Sequence, residues 1–198
     1  MNQQLRSASL PMTTQAAEGL PRRRWTVAEI EEMTRLGVFL EDDRFELIGG
    51  EIVPMNAKGI RHEVLKMELT HYWSARRPKG IVFATETTFR INEDTFFEPD
   101  VIFFNKADGL SRLAPGTALL AVEVSDSSLA YDLHRKTRLY ASHGVKEVWI
   151  INAVKLESHC HSDVGPDGYR KIVVRGPDEA LVPGFAPELS VVLAQLEL

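Results

Sequence analysis

Hydrophobic and polar positions change period several times along the chain, and each change marks an element. Residues 1–21 are small and polar with no sustained period, which predicts an N-terminal arm without a core of its own. From Thr26 the pattern turns helical. Thr26 and Glu29 have the spacing of a capping box, each side chain able to satisfy the other's free backbone donor. That helix should stop near Gly37. Over 44–55, two β-prone runs flank Gly49-Gly50, a pair that accepts the positive φ angles of a tight hairpin turn. A second helix is predicted over 60–77, ended by Pro78 and Gly80. Short strands follow at 81–86, 88–92, 100–104 and 119–125. A helix over 128–143 ends at Gly144, and strands at 147–152, 155–161 and 169–175 follow, the last two separated by Gly165-Pro166-Asp167-Gly168. There are no internal repeats and no heptads. The expectation is an α/β or α+β fold: one domain over 22–198, a mixed sheet flanked by helices, behind the arm.

Composition narrows the function classes. The 198 residues hold 44% hydrophobic and 26% charged residues, ordinary for a globular chain, which excludes a wholly disordered one. Lys plus Arg is 23 against 28 for Asp plus Glu, a net charge of −5. That excludes a uniformly basic surface coating nucleic acid, while leaving room for a local basic strip. The single cysteine, Cys160, excludes an intrachain disulfide framework and fits a reducing compartment. No run approaches the roughly 18 apolar residues of a membrane span, and the N-terminus lacks the apolar core of a secretory signal. A soluble cytoplasmic protein, away from membranes, is expected.

Candidate chemistry sits where carboxylates interrupt apolar strands. The run 119–125 has the near-continuous apolar character of a central strand, with Glu123 in its middle. A carboxylate there must be paired, protonated, metal-bound or at an edge open to water. Asp100 stands at the mouth of another apolar strand behind Pro99, sharing a face with Ile102 and Phe104. Neither acid has an obligatory basic partner beside it in sequence, and two such acids on neighbouring strands would repel each other. Oxygen-rich sites of this kind hold Mg²⁺ or Mn²⁺. On the helix after Glu123, 100° per residue puts Leu129, Leu133, Lys136 and Tyr140 on one stripe, while Arg135 and Arg138 point away. Lys136 therefore faces the sheet. Its partner there is Glu123 or a bound phosphate; the competing reading is an i,i+4 pair with Asp132, worth a few tenths of a kcal/mol.

The blocks Glu98-Pro99-Asp100, Ala121-Val122-Glu123-Val124-Ser125, the run from Ser127 to Lys136, and the run from Leu139 to Asn152 occur in a specific order and spacing. With Arg44-Phe45-Glu46-Leu47-Ile48-Gly49-Gly50-Glu51, they resemble the Uma-type family of restriction endonucleases, within the PD-(D/E)XK nuclease superfamily. The resemblance runs from about Trp25 to the C-terminus. It implies a restriction-endonuclease-like fold, a DNA substrate, a homodimer, and Mg²⁺ or Mn²⁺ as cofactor. It also implies roles: Asp100 and Glu123 as metal ligands, with the Val124 carbonyl as a third oxygen, Glu46 projecting into the same site, and Lys136 as the catalytic lysine. The superfamily pattern places that lysine two residues after the acid, where this chain has Ser125; here it is displaced onto the following helix.

Three further features carry weaker signals. His62 shares a helical stripe with Leu65, Leu69 and Trp73, which fits a packed or capping histidine, while the family resemblance offers it as an accessory site residue. His159-Cys160-His161 with Asp163 has metal-binding residue types, but alternation along a strand divides them between two faces. Arg22-Arg23-Arg24 and Arg76-Arg77 with Lys79 are short basic runs of the kind that usually face solvent. The expected function is a metal-dependent endonuclease acting on DNA phosphodiester bonds. The alternatives are a nuclease-fold module that binds nucleic acid or protein without cutting, and hydrolysis of a different phosphodiester by the same chemistry.

Overall fold

The computed structural model describes residues 22–40 and 43–198; the arm expected over 1–21 lies outside the described residues. The elements are α1 (Val27–Arg35), β1 (Phe45–Ile48), β2 (Glu51–Pro54), α2 (Ile60–Arg76), β3 (Ile81–Ala84), β4 (Phe89–Asn92), β5 (Thr95–Phe97), β6 (Val101–Asn105) and β7 (Ala118–Ser125). After β7 come α3 (Leu129–Tyr131), a π turn (Asp132–Lys136) and α4 (Thr137–Ser142). The chain closes with β8 (Glu147–Asn152), β9 (Ser158–Gly165), β10 (Gly168–Arg175), β11 (Ala180–Leu181) and β12 (Val191–Val192).

Two sheets carry the architecture, a four-stranded one in the order β2-β1-β5-β4 and a six-stranded one in the order β10-β9-β8-β7-β6-β3. Among the described residues only β7 and β8 pair in parallel, and the chain between them makes the crossover that parallel neighbours require. Strand alternation assigns the faces. Val101, Phe103, Leu120, Val122, Trp149 and Ile151 bury one face of the large sheet against Leu65, Leu69 and Trp73 of α2. Ile102, Phe104, Ala121, Val148 and Ile150 bury the other face against Tyr140 of α4 and against Ile48, Phe89 and Phe97 of the small sheet. α1 covers the far side of the small sheet through Val27 and Ile30 on Leu47 and Phe96. The molecule is thus a mixed α+β fold, layered as helix, small sheet, large sheet, helix.

Local chemistry explains several boundaries. The Thr26–Glu29 capping box forms in full. The β1–β2 turn is made by Gly49 and Gly50 at φ +57° and +79°; a Cβ on Gly50 would come within 2.6 Å of the Arg24 Cβ, so the close approach of the chain at 24–25 needs glycine there. Gly144 takes φ +80° just past α4, as its position predicts. Other expectations shift. The strand expected over 81–86 stops at Ala84, because Glu86 adopts φ +48° and its N–H turns to the Pro99 carbonyl. The strand expected over 155–161 begins at Ser158, after Leu156 at φ +55° has closed a tight turn. The 128–143 helix is interrupted by the π turn, in which the Thr137 N–H reaches back five residues to the Asp132 carbonyl.

Candidate active site

The side chains at the open end of the gap between the two sheets follow from alternation. Ile48 of β1 faces the large sheet, so Glu46, two residues earlier, faces it too. On β7 the same rule turns Ala121, Glu123 and Ser125 toward the small sheet. Val101 pairs with Val122, so the next step of the antiparallel ladder brings Asp100 across from Glu123 on one face. The helical stripe that buries Tyr140 also buries Lys136 one turn before it. Glu46, Asp100, Glu123 and Lys136 are each only 4% exposed, which removes them from the class of surface ion pairs. They line one cleft of about 460 Å³ together with His62, Lys58 and Tyr131.

Lys136 Nζ stands 2.7 Å from Glu46 Oε1 and 3.0 Å from Glu123 Oε1. Glu46 Oε1 also accepts the Glu98 N–H at 3.2 Å, and the Tyr140 hydroxyl donates to Glu123 Oε1 at 2.6 Å. Asp132, the alternative partner for Lys136, instead accepts the hydroxyls of Ser125 and Ser128 at 2.7 and 2.6 Å, tying the start of the helix to the end of β7. On the other carboxylate, Asp100 Oδ2 accepts the Val124 N–H at 2.8 Å, while Oδ1 faces Lys58 Nζ at 2.8 Å and His62 Nε2 at 3.0 Å. His62 is therefore buried on the α2 stripe and in the site at once; its Nδ1 faces Glu63 at 3.1 Å. Lys58 also contacts Glu86, which takes Lys66 at 2.9 Å and Arg44 at 3.2 Å. Among the described residues the buried Tyr131 hydroxyl, on a residue lining the cleft, has no hydrogen-bond partner.

Electrostatics divide the two central acids. Burial alone would raise the Asp100 carboxyl; the hydrogen bond from His62 and the charge of Lys58 prevail and hold it well below the usual carboxylate range. Burial pushes the Glu123 carboxyl up; Lys136 opposes this, while Asp100, Asp132 and Glu46 add repulsion. Burial works to discharge Lys136, but Glu123, Glu46 and Asp132 hold its ammonium well above the ordinary lysine value.

Asp100 and Glu123 would offer carboxylate oxygens, and with the adjacent Val124 carbonyl they would make an all-oxygen donor set. Among the described residues no three histidine, cysteine or carboxylate side chains converge as a ready-made cation cage. Mg²⁺ does not need one, since it commonly takes one or two carboxylates and keeps several waters. The Lys58 ammonium beside Asp100 marks a place where this cleft already accommodates positive charge. The donor set fits a hard divalent ion.

The structure brings together every site residue expected from sequence, and adds others. Lys136 meets Glu123, one of the two partners expected for it, whereas the flanking of Asp100 by Lys58 and His62 departs from the expectation of an acid without a basic partner. Lys58 precedes α2 in residues 55–59, which have no regular structure, so no periodicity could aim it. Tyr140 was legible as part of the buried stripe, though only for its ring. The basic runs do face solvent, and Arg22, Arg23 and Arg24 pair with Glu51, Glu29 and Asp94. His159 pairs with Glu157, while Cys160 packs on the core of the opposite face, so no metal site forms at 159–161.

A mixed α+β fold with buried acids and a lysine at the open end of a central sheet defines a nuclease-like architecture. The chain belongs to the Uma2 family, described as "Putative restriction endonuclease", whose family model matches residues 28–195. Among solved structures it is similar to a protein from Anabaena variabilis described as "a putative nuclease belonging to DUF820". The two share a fold at a TM-score of 0.69 with 16% identity, over 85% of this chain and 95% of that one. No curated protein matches the chain. Among the described residues, no helix is long and apolar enough to cross a membrane.

Proposed function

We propose that the chain is a Mg²⁺- or Mn²⁺-dependent endonuclease hydrolysing phosphodiester bonds in DNA. The observation that carries this reading is the convergence of Glu46, Asp100, Glu123 and Lys136, from both sheets and a helix, in one cleft of a chain belonging to that family. Asp100, Glu123 and the Val124 carbonyl would hold the ion. When bound, a divalent ion neutralises charge on the scissile phosphate and makes water more acidic. Lys136 offers a fixed ammonium at the cleft floor, able to orient the attacking water and to offset charge growing on the phosphate in the transition state. Glu46 positions that ammonium, and Tyr140 fixes the Glu123 carboxylate by donating to it. His62 holds Asp100 from the α2 side.

A second reading, a nuclease-fold module that binds without cutting, draws on the ammonium groups that already neutralise both acids. Plasmid nicking separates the two. Supercoiled DNA with millimolar Mg²⁺ or Mn²⁺ should be nicked by the wild type and spared by Glu123→Gln, with chelator abolishing the activity. Intact plasmid under every metal condition, with the protein folded, supports the binding module instead.

A further inference from the structure

Lys58 has no part in the reaction described above, yet its ammonium lies 2.8 Å from Asp100 Oδ1. The two oxygens of that carboxylate are not equivalent. Oδ2 accepts the Val124 N–H, while Oδ1 faces both His62 Nε2 and Lys58 Nζ, so a cation reaching either oxygen meets a partner already in place, and on Oδ1 one of these is an ammonium. Mg²⁺ takes carboxylate oxygens at about 2.0–2.1 Å. An ammonium and a divalent ion crowded on one oxygen repel strongly in a buried site.

Three further observations say which lysine yields. Lys136 is fixed on a helix between two buried carboxylates, with its side chain 5% exposed. Lys58 sits in irregular chain between β2 and α2, with its side chain 14% exposed. Lys58 also contacts a second carboxylate, Glu86, which lies outside the proposed donor set. Glu86 is held in a left-handed conformation that non-glycine residues seldom adopt, its N–H tied to the carbonyl of Pro99, the residue before Asp100. It therefore presents its carboxylate beside Asp100 without entering the pair of acids. Because the ammonium already touches both groups, leaving Asp100 requires no search for a new partner.

Resting on the metal-dependent reading, we infer that Lys58 is an internal counter-cation of Asp100 that a divalent ion displaces. Glu86 is the positioning residue that retains the displaced ammonium at the cleft wall. Lys58 thus holds the Asp100 carboxylate in place before metal arrives, at the cost of weakening metal affinity. It also leaves a positive charge beside the cleft afterwards.

Calorimetric titration of the full-length, metal-free protein with Mn²⁺ tests this. Lys58→Met removes the competitor and should tighten the Kd by about tenfold, the scale of coupling between charged neighbours. Lys58→Gln, which keeps a polar group for Glu86, carries the same expectation should the methionine variant fail to fold. Glu86→Gln removes the retaining carboxylate and should weaken binding by several-fold. In a Lys58→Met background it should have no effect, since Glu86 acts through Lys58. Glu86→Gln weakening binding equally with and without Lys58 would mean simple long-range charge and would overturn the inference. So would unchanged or weaker binding in both Lys58 variants. Asp100→Asn separates the claims: Mn²⁺ binding that survives it overturns the metal reading and this inference together. Binding abolished by Asp100→Asn but unaltered by Lys58→Met overturns the inference alone.

Discussion

Lys136 is shared by two carboxylates, and that sharing sets the cost of losing either one. Removing Glu46 alone leaves the ammonium a partner, so Glu46→Gln should lower metal-free stability by about 1 kcal/mol, whereas burial and repulsion already disfavour the Glu123 charge, so Glu123→Gln should be no less stable than wild type. Removing both strands a buried charge, and the double variant should lose about 3–5 kcal/mol, more than the sum of the singles. Urea denaturation of the four proteins reads this directly. Tyr140→Phe takes away a buried donor to a charged group at 2.6 Å and should cost about 1.5–3 kcal/mol in the same assay. At this scale the sequence was informative wherever a period aimed the side chain. Lys136 was legible because four residues separate it from Tyr140, and this spacing shares a face even across the π turn. Lys58 and Glu86 were not, because irregular backbone and a positive φ set their directions.

Elements long enough to show a period were read nearly as they stand: the β1–β2 hairpin, α2, β7, β8 and β10. β5 has three residues, and β11 and β12 have two each, too few for any period to register. Their existence depends on partners far along the chain, such as Leu47 opposite Phe96 and Leu181 opposite Val191. β9 carries a pH dependence of its own. His161 is buried against Tyr169, its Nε2 without a partner among the described residues, and burial, reinforced by His159, pushes its pKa down to about 4. Its folded value lies below the unfolded one, so the unfolded chain takes up the proton first. The stability contribution is complete above about pH 6.5, falls as pH drops through the window toward 4, and then levels off. Thermal melts across that window should show a steeper decline for wild type than for His161→Phe; equal slopes would contradict the assignment.

At the scale of the molecule, the site exists because two sheets and a helix meet at one end of their shared core. The sequence showed that apolar strands alternate with helices, but it did not show that β1 folds over the large sheet to bring Glu46 onto Lys136. Nor did it show that the segment after β10 closes the far face, where Trp73 and Tyr72 of α2 donate to the carbonyls of Leu189 and Ser190. A divalent ion bound only by the native state should stabilise the whole fold. At about 100 times its dissociation constant it adds roughly 2.7 kcal/mol, so Mn²⁺ should raise the melting temperature of the wild type and leave Asp100→Asn unmoved.

The central claim is that this buried cluster performs hydrolysis and is more than a knot of ion pairs. Lys136→Met addresses it most directly, since methionine nearly matches the lysine stem in volume and keeps helix propensity while removing the charge. The measurement is the rate of plasmid cleavage by Lys136→Met relative to wild type, with Mn²⁺ binding verified by the thermal shift in both. The account predicts that the shift persists while cleavage falls by a factor of about 100 or more, as for loss of a charge needed mainly in the transition state. A metal-loaded Lys136→Met protein that cuts at the wild-type rate would contradict it.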